Sequence, residues 1–192
     1  MNINSKNTNL IPPHGGYRKL VSYQMAEIVY DATVKFCDRF INRHSRTYDQ
    51  MIQSARSGKQ NIVEGSMASG TSKKIELKLI GIARASLEEL LQDYEDYLRQ
   101  NNLALWDKND LRALEIRKIG KEKYKSYKSY KTYIENSSSE TAANAIICLI
   151  HQTNYLLDQQ LRKLEEEFLE KGGFTERMYQ VRKKIIKFRE NK

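Results

Sequence analysis

The strongest constraint on this chain is the run from Gln50 to Tyr97, QMIQSARSGKQNIVEGSMASGTSKKIELKLIGIARASLEELLQDYEDY, which reads as two long helices joined by a short turn. On the first arm Met51, Ala55, Gly58 and Ile62 recur at spacings of four, three and four, so they share one helical face. Gly65, Ser66, Ser69, Gly70, Thr71 and Ser72 break the pattern, and Thr71 or Ser72 can cap the next helix. On the second arm Leu79, Ala83, Ser86, Leu90, Tyr94 and Tyr97 form the matching stripe. A fold-back near Met67–Ser69 makes the numbers of facing residues sum to roughly 138. Ala55 then faces Ala83, and Gly58 lies near Leu79 to Ile82. Small residues meet small residues, so the two backbones are expected closer than the usual ~8–10 Å between helix axes.

The other long elements follow the same logic. Residues up to Gly16 are expected to be loose, because Pro12-Pro13 and Gly15-Gly16 oppose a helix. A first helix is predicted over Tyr17–Ile41, with Val21, Met25, Ile28, Ala32, Phe36 and Phe40 as its buried stripe. Asn42 to Ser45 make the turn, and Ser45 caps the second helix. The third should stop at Asn101-Asn102. Two short connections in a row make these three helices antiparallel neighbours.

An insertion over 106–137 comes next, in which Asp107 can cap a short helix carrying Leu111, Leu114 and Ile119, with Trp106 tucked against the end of the helices. The sequence KEKYKSYKSYKTY then places Tyr124, Tyr127, Tyr130 and Tyr133 at a period of three, which matches neither a helix nor a strand. It is expected to be a solvated loop, read first as a tolerated linker expansion and second as a tract whose rings stack on single-stranded nucleic acid while its lysines neutralise it. The fourth long helix, 138–173, opens with a capping box at Ser137-Ser138-Ser139-Glu140. Ile146, Ile150, Thr153, Leu157, Leu161, Leu164 and Phe168 make its heptad-like seam, and Gly172-Gly173 ends it. In the tail, 174–192, Thr175 can cap a last helix with Met178, Val181, Ile185 and Phe188 on one side. The fold class is therefore all-α: an up-down-up-down four-helix bundle from 17–105 and 138–173, with an insertion before the fourth helix and an amphipathic helical tail.

The hairpin residues also carry a resemblance. Gln50, Ala55, Ser57 and Asn61-Ile62-Val63-Glu64-Gly65, followed by Ala83-x-x-Ser86-x-x-Glu89-Leu90, resemble the small bacterial four-helix-bundle proteins known from intervening sequences of large-subunit ribosomal RNA genes. Relatives of that family include the accessory protein of diversity-generating retroelements. The late Gly172-Gly173-Phe174-Thr175-Glu176-Arg177 is similar to the branch with a four-helix-bundle suffix domain. The resemblance spans Pro12–Leu105 and Ala142–Val181. Gln53, Lys59 and Val63 stand where the family often has Arg, Pro and Ala, and the missing proline predicts a straighter second helix. The resemblance implies a homopentamer around a central channel.

Charge narrows the functional classes. The net charge of +9 sits in two places: Arg112 to Lys131 carry eight Lys/Arg against Glu115 and Glu122, and Phe174 to Lys192 carry seven against Glu176 and Glu190. The remaining eighteen basic and twenty acidic side chains nearly cancel. Two basic appendages suit a polyanion, although a basic tail can also serve solubility alone. Cys37 and Cys148 form no metal-like or disulfide pattern, which fits a reducing cytoplasm. The polar N-terminus lacks the apolar core of a signal peptide, and no apolar run approaches the ~20 residues that span a bilayer.

Catalytic and metal chemistry find no support in the spacing. The residues three before His14, His44 and His151 are Ile11, Ile41 and Cys148, so the Glu-x-x-His pairs of di-iron bundles are missing. Cys148-x-x-His151 has helical ligand spacing but supplies only two ligands. No cofactor is expected. Asn61 and Glu64 are read first as polar bonds that fix the end of the hairpin and second as a contact for a ligand or partner, and Ser86 and Glu89 first as interhelical or intersubunit hydrogen bonds and second as catalytic groups. Lys73 and Lys74 oppose the macrodipole at a helix start, a place suited to them if a phosphate also binds there; the alternative is two solvated lysines. The candidate nucleic-acid contacts are Lys73, Lys74, Arg177, Arg182, Lys183, Lys184, Lys187 and Arg189; the hairpin motif is Ala55, Gly58, Asn61, Glu64, Gly65, Ala83, Ser86 and Glu89. The expected function is a non-enzymatic oligomeric scaffold that binds RNA or a nucleoprotein partner. The alternative is a partner adaptor with no nucleic-acid role.

Overall fold

The computed structural model describes residues 10–190. Among them the chain is all-α with no strand: α1 (Val21–Phe40), α2 (Arg46–Ala68), α3 (Lys73–Gln100), α4 (Leu111–Ile119), α5 (Tyr127–Glu135), α6 (Ser139–Lys171) and α7 (Phe174–Glu190), preceded by a 3-10 turn at Tyr17–Lys19. Serines start three of the four long helices. Ser45 accepts from the Thr47 amide, Ser72 from Ile75 and Ser138 from Thr141. α1 packs on α2, α2 on α3, α3 on α6 and α6 on α1, closing a ring of four helices around one apolar core. No helix among the described residues is long and apolar enough to cross a membrane.

The α2–α3 hairpin is close-packed, in a register different from the expected one. The turn lies at Ser69–Ser72 rather than Met67–Ser69, because α2 runs on without a break to Ala68. Each α2 residue therefore faces a residue further along α3. A Cβ placed on Gly58 would meet Leu87 at 2.7 Å and the Ala83 carbonyl oxygen at 3.5 Å, so Gly58 does not face Leu79 to Ile82. One heptad on, a Cβ on Gly65 would lie 3.5 Å from the Glu76 carbonyl oxygen. Gly65 is a packing residue and not a helix breaker. On α3 the shift buries Ile80, Leu87, Leu91 and Leu98 with Ala83, Ser86, Leu90 and Tyr94, and leaves Leu79 and Tyr97 half-buried.

The expected loose N-terminal segment lies largely outside the described residues. Its described part touches the hairpin turn, where the Gly15 amide donates to the Ser66 carbonyl at 3.0 Å. α1 starts at Val21, which stays exposed; Met25, Ile28, Ala32 and Phe36 are buried and Phe40 is half-buried.

The insertion is where the structure departs most from expectation. Asp110, not Asp107, caps α4 by accepting from the Arg112 amide, while Asp107 bonds only within its own turn, to Asn109. α4 turns Ala113 and Ile116 inward, so Leu111 and Leu114 face outward. Trp106 is buried as expected, and its backbone amide donates to Asn144. The Tyr/Lys repeat is not a solvated loop. Most of it folds as α5, which buries Tyr130 and Ile134 completely and packs on α6 and α1. Lys128 and Lys131 point to solvent, so the lysines ride on the outside of an amphipathic helix.

α4 and α5 together cover the outer side of α6. Every residue from Ala142 to Ile150 is consequently buried. The capping box forms differently, since Thr141 and not Glu140 holds the position bonded to Ser138; Glu140 instead accepts from the Ala104 amide. Further along, Leu157 and Leu164 are buried, Leu161 is half-buried and Phe168 is exposed. Gly172, at φ 66°, ends α6. Thr175 does not cap α7, because it lies inside it; the Glu176 carboxylate accepts from the Gly173 amide instead. α7 belongs to none of the packed helix pairs, and none of its described side chains is buried.

Candidate nucleic-acid interface

The polar residues of the hairpin build outward from Ser57. Its hydroxyl lies 3.0 Å from that of Ser86 on α3, and the Asn61 amide group donates to both the Ser57 hydroxyl and the Ser57 carbonyl. These three residues form one interhelical chain of hydrogen bonds in a half-buried seam. Glu64 stands outside it, exposed. Glu89 is exposed as well and lines a polar groove with Gln50, Gln53, Asp49, Asp93 and Asp96. Burial, then Asp96 and Glu89, raises the carboxyl pKa of Asp93. A groove so rich in acids repels a polyanion.

Lys73 is occupied. Its ammonium lies 2.9 Å from Glu76 and 3.5 Å from Glu167, with only 19% of the side chain exposed. This lysine ties the start of α3 to the end of α6. Lys74, one residue on, is exposed. The two lysines expected to share a phosphate therefore have different surroundings.

The basic residues of α7 remain open to solvent. Arg182, Lys183, Lys184, Lys187 and Arg189 are exposed, and Arg177 is half-buried beside Lys73, Glu167 and Lys171. None of the six forms an ion pair among the described residues, including with Glu165, Glu166, Glu167 or Glu170.

One exposed aromatic is invisible to charge counting. Within the tyrosine repeat, Tyr127 and Tyr133 pack partly on the core and Tyr130 wholly, while Tyr124 is 85% exposed. It sits in the connection between α4 and α5, with Lys121 and Lys123 exposed beside it and Lys125 half-buried. The Lys123 ammonium lies 5.3 Å from the Tyr124 ring centroid. An uncovered ring among lysines can stack on a base while the lysines meet its phosphates.

The chain matches no family model, no curated protein and no solved structure. A cavity of about 300 Å³ between the α3–α4 connection, α4 and α6 is lined by Trp106, Arg117, Cys148 and His151. Burial raises the Cys148 thiol pKa, which favours the neutral form that neither attacks nor ligates well. Cys37, also buried, is pushed up to about 12. Among the described residues no group of three or more His, Cys, Asp or Glu is placed to hold a metal ion.

Proposed function

We propose that this protein is a non-enzymatic helical scaffold that binds single-stranded nucleic acid through its basic appendages. The carrying observation is Tyr124, the one ring of its repeat left in solvent, standing among lysines on a connection anchored at both ends by α4 and α5. The outward lysines of α7, Lys183 and Lys187, add a second basic surface, with Lys74 as a lesser contact. Lys73 has no part in this reading, since its charge is met by Glu76 and Glu167. RNA rather than DNA rests on the resemblance to the ribosomal intervening-sequence proteins. The same resemblance supports reading α1, α2, α3 and α6 as their up-down-up-down four-helix bundle, assembled from several copies in the cytoplasm.

The test is binding of a fluorescent oligouridine at several salt concentrations. For single strands log K falls with log salt by about 0.7 per phosphate neutralised. Tyr124→Ala should weaken binding by about 1–3 kcal/mol, the usual worth of one stacked base. No binding at low salt, or a Tyr124→Ala variant that binds as tightly as the parent, overturns the proposal. The second reading, a protein adaptor, is favoured by the apolar side of α7, where Met178 and Ile185 are 44% and 43% exposed.

A further inference from the structure

We propose that α7 is an exchange arm, whose apolar seam docks on the acidic C-terminal stretch of α6 in a second copy of this chain. The first observation is the seam itself. Phe174, Met178, Val181 and Ile185 recur at spacings of four, three and four, the pattern of a helix that pairs lengthwise with another. Yet α7 buries none of its described side chains and belongs to none of the closely packed helix pairs among the described residues. Apolar surface of this kind, rimmed by charge, marks a contact with another molecule.

Charge says which surface it fits. With about 100° between successive residues, Arg177, Arg182, Lys184 and Arg189 flank the seam, and Lys183 and Lys187 lie opposite. A second α7 is excluded as the partner, because two such flanks would repel. The end of α6 is the complement: Glu165, Glu166 and Glu170 are exposed, and Leu169 among them is 76% exposed. Those acids stand at a helix C-terminus, where the macrodipole disfavours them until cations arrive. Among the described residues no ion pair joins the two halves within one chain.

The joint bears on why α7 packs so little on its own α6, which it approaches at Arg177, half-buried beside Glu167 and Lys171. Gly172, with φ at 66°, donates to the Phe168 carbonyl at 2.9 Å, and the Gly173 amide donates to the Glu176 carboxylate at 2.9 Å. These bonds fix the connection with α7 off α6, so the complementary surface available to it is on another copy. The contact draws on the seam and its flanks, while Tyr124 and the outward lysines stay uncovered. It therefore stands or falls apart from the nucleic-acid reading.

Sedimentation of the full-length chain, without nucleic acid, decides it. The parent should sediment at no less than twice the chain mass, and Val181→Asp with Ile185→Asp should sediment as a monomer with unchanged helicity. One variant carries Glu165→Lys, Glu166→Lys and Glu170→Lys; a second carries Arg177→Glu, Arg182→Glu and Lys184→Glu. Each should be monomeric alone, and an equal mixture should associate again, since each arm then finds an opposite charge on the other chain. A monomeric parent overturns the proposal, as expected for α7 folding back within one chain or awaiting a different partner. Association that survives the aspartates, or variants that mixing does not restore, overturns it equally, because another face must then hold the copies together.

Discussion

Gly58 and Ala83 meet backbone to backbone: a Cβ on Gly58 would stand 3.5 Å from the Ala83 carbonyl oxygen and 2.7 Å from Leu87, which is itself fully buried. Gly81, two residues from Ala83 on the same helix, has nothing within 4 Å of its own added Cβ. The two glycines should answer the same substitution with opposite signs. Gly58→Ala forces Leu87 off its position and should cost about 1–3 kcal/mol. Gly81→Ala removes a flexible residue from a helix interior and should add about 0.5–1 kcal/mol. Urea midpoints measure both, and equal shifts in one direction would refute this account of the seam.

Tyr130 is fully buried, and its hydroxyl has no hydrogen-bond partner among the described residues. Removing that hydroxyl relieves an unpaired polar group, so Tyr130→Phe should be neutral or slightly stabilising. Tyr130→Ala should cost about 3–5 kcal/mol, as for other large core aromatics. A mild effect of the alanine would mean that α5 is not part of the core in solution.

Among the described residues Lys73 is the only cation within ion-pair distance of Glu76, a carboxylate with 9% of its side chain exposed. Lys73→Ala strands that carboxylate and should cost about 1–3 kcal/mol of stability. It should leave oligouridine affinity unchanged. Chemical denaturation and binding measured on the same sample separate the two roles; weaker binding without lost stability would return Lys73 to the interface.

Stability should decline in alkali. The folded Cys37 pKa lies near 12 against an ordinary 9.0, chiefly through burial, so the folded state holds its proton where the unfolded state releases it. Its contribution is whole below pH 9 and is lost as the pH climbs toward 12. The buried Tyr94 and Tyr130 hydroxyls are raised too and act in the same direction above pH 10. Cys37→Ala should flatten the first part of the decline in urea midpoint, just above pH 9. A midpoint that is level, or that rises, from pH 8 to pH 11 would contradict the burial of these groups.

Truncation after Gly173 should leave the helical content of the remaining chain unchanged by circular dichroism, because α7 contributes no buried side chain to its own chain among its described residues. The same truncation removes seven basic residues and should flatten the salt dependence of oligouridine binding. Binding equally steep in salt after truncation would assign the phosphate contacts to the α4–α5 connection alone.

What could be read from the sequence depended on how local its cause was. The four long helices follow from apolar spacing, and three of them from serine caps as well, causes that act within a turn or two. The hairpin register did not, because Gly65 and Ser66 resemble a helix end until α3 is seen to need their small size. The tyrosine period of three misled for a simple reason. Each step of three residues falls about 60° short of a full turn, so the three tyrosines of α5 still share one helix face, while Tyr124 lies before that helix, in the connection from α4. Tyr127, Tyr130 and Tyr133 fall in or partly in the core, and Tyr124 outside. Among the candidate contacts, positive charge was legible and its availability was not: Lys73 is neutralised in part by Glu167, which only the fold brings near.

The all-round burial of Ala142 to Ile150 also bears on the order in which the molecule can be completed. Synthesis delivers α1 through α5 before α6, and α6 packs against α1, α3, α4 and α5. A nascent chain that has not yet released residue 150 has nothing to lay into the middle of its own interior. Its apolar faces stay open for that interval, which makes late-arrested chains the aggregation-prone species. Fragments ending before Ser139 should therefore engage chaperones more strongly than the full-length product.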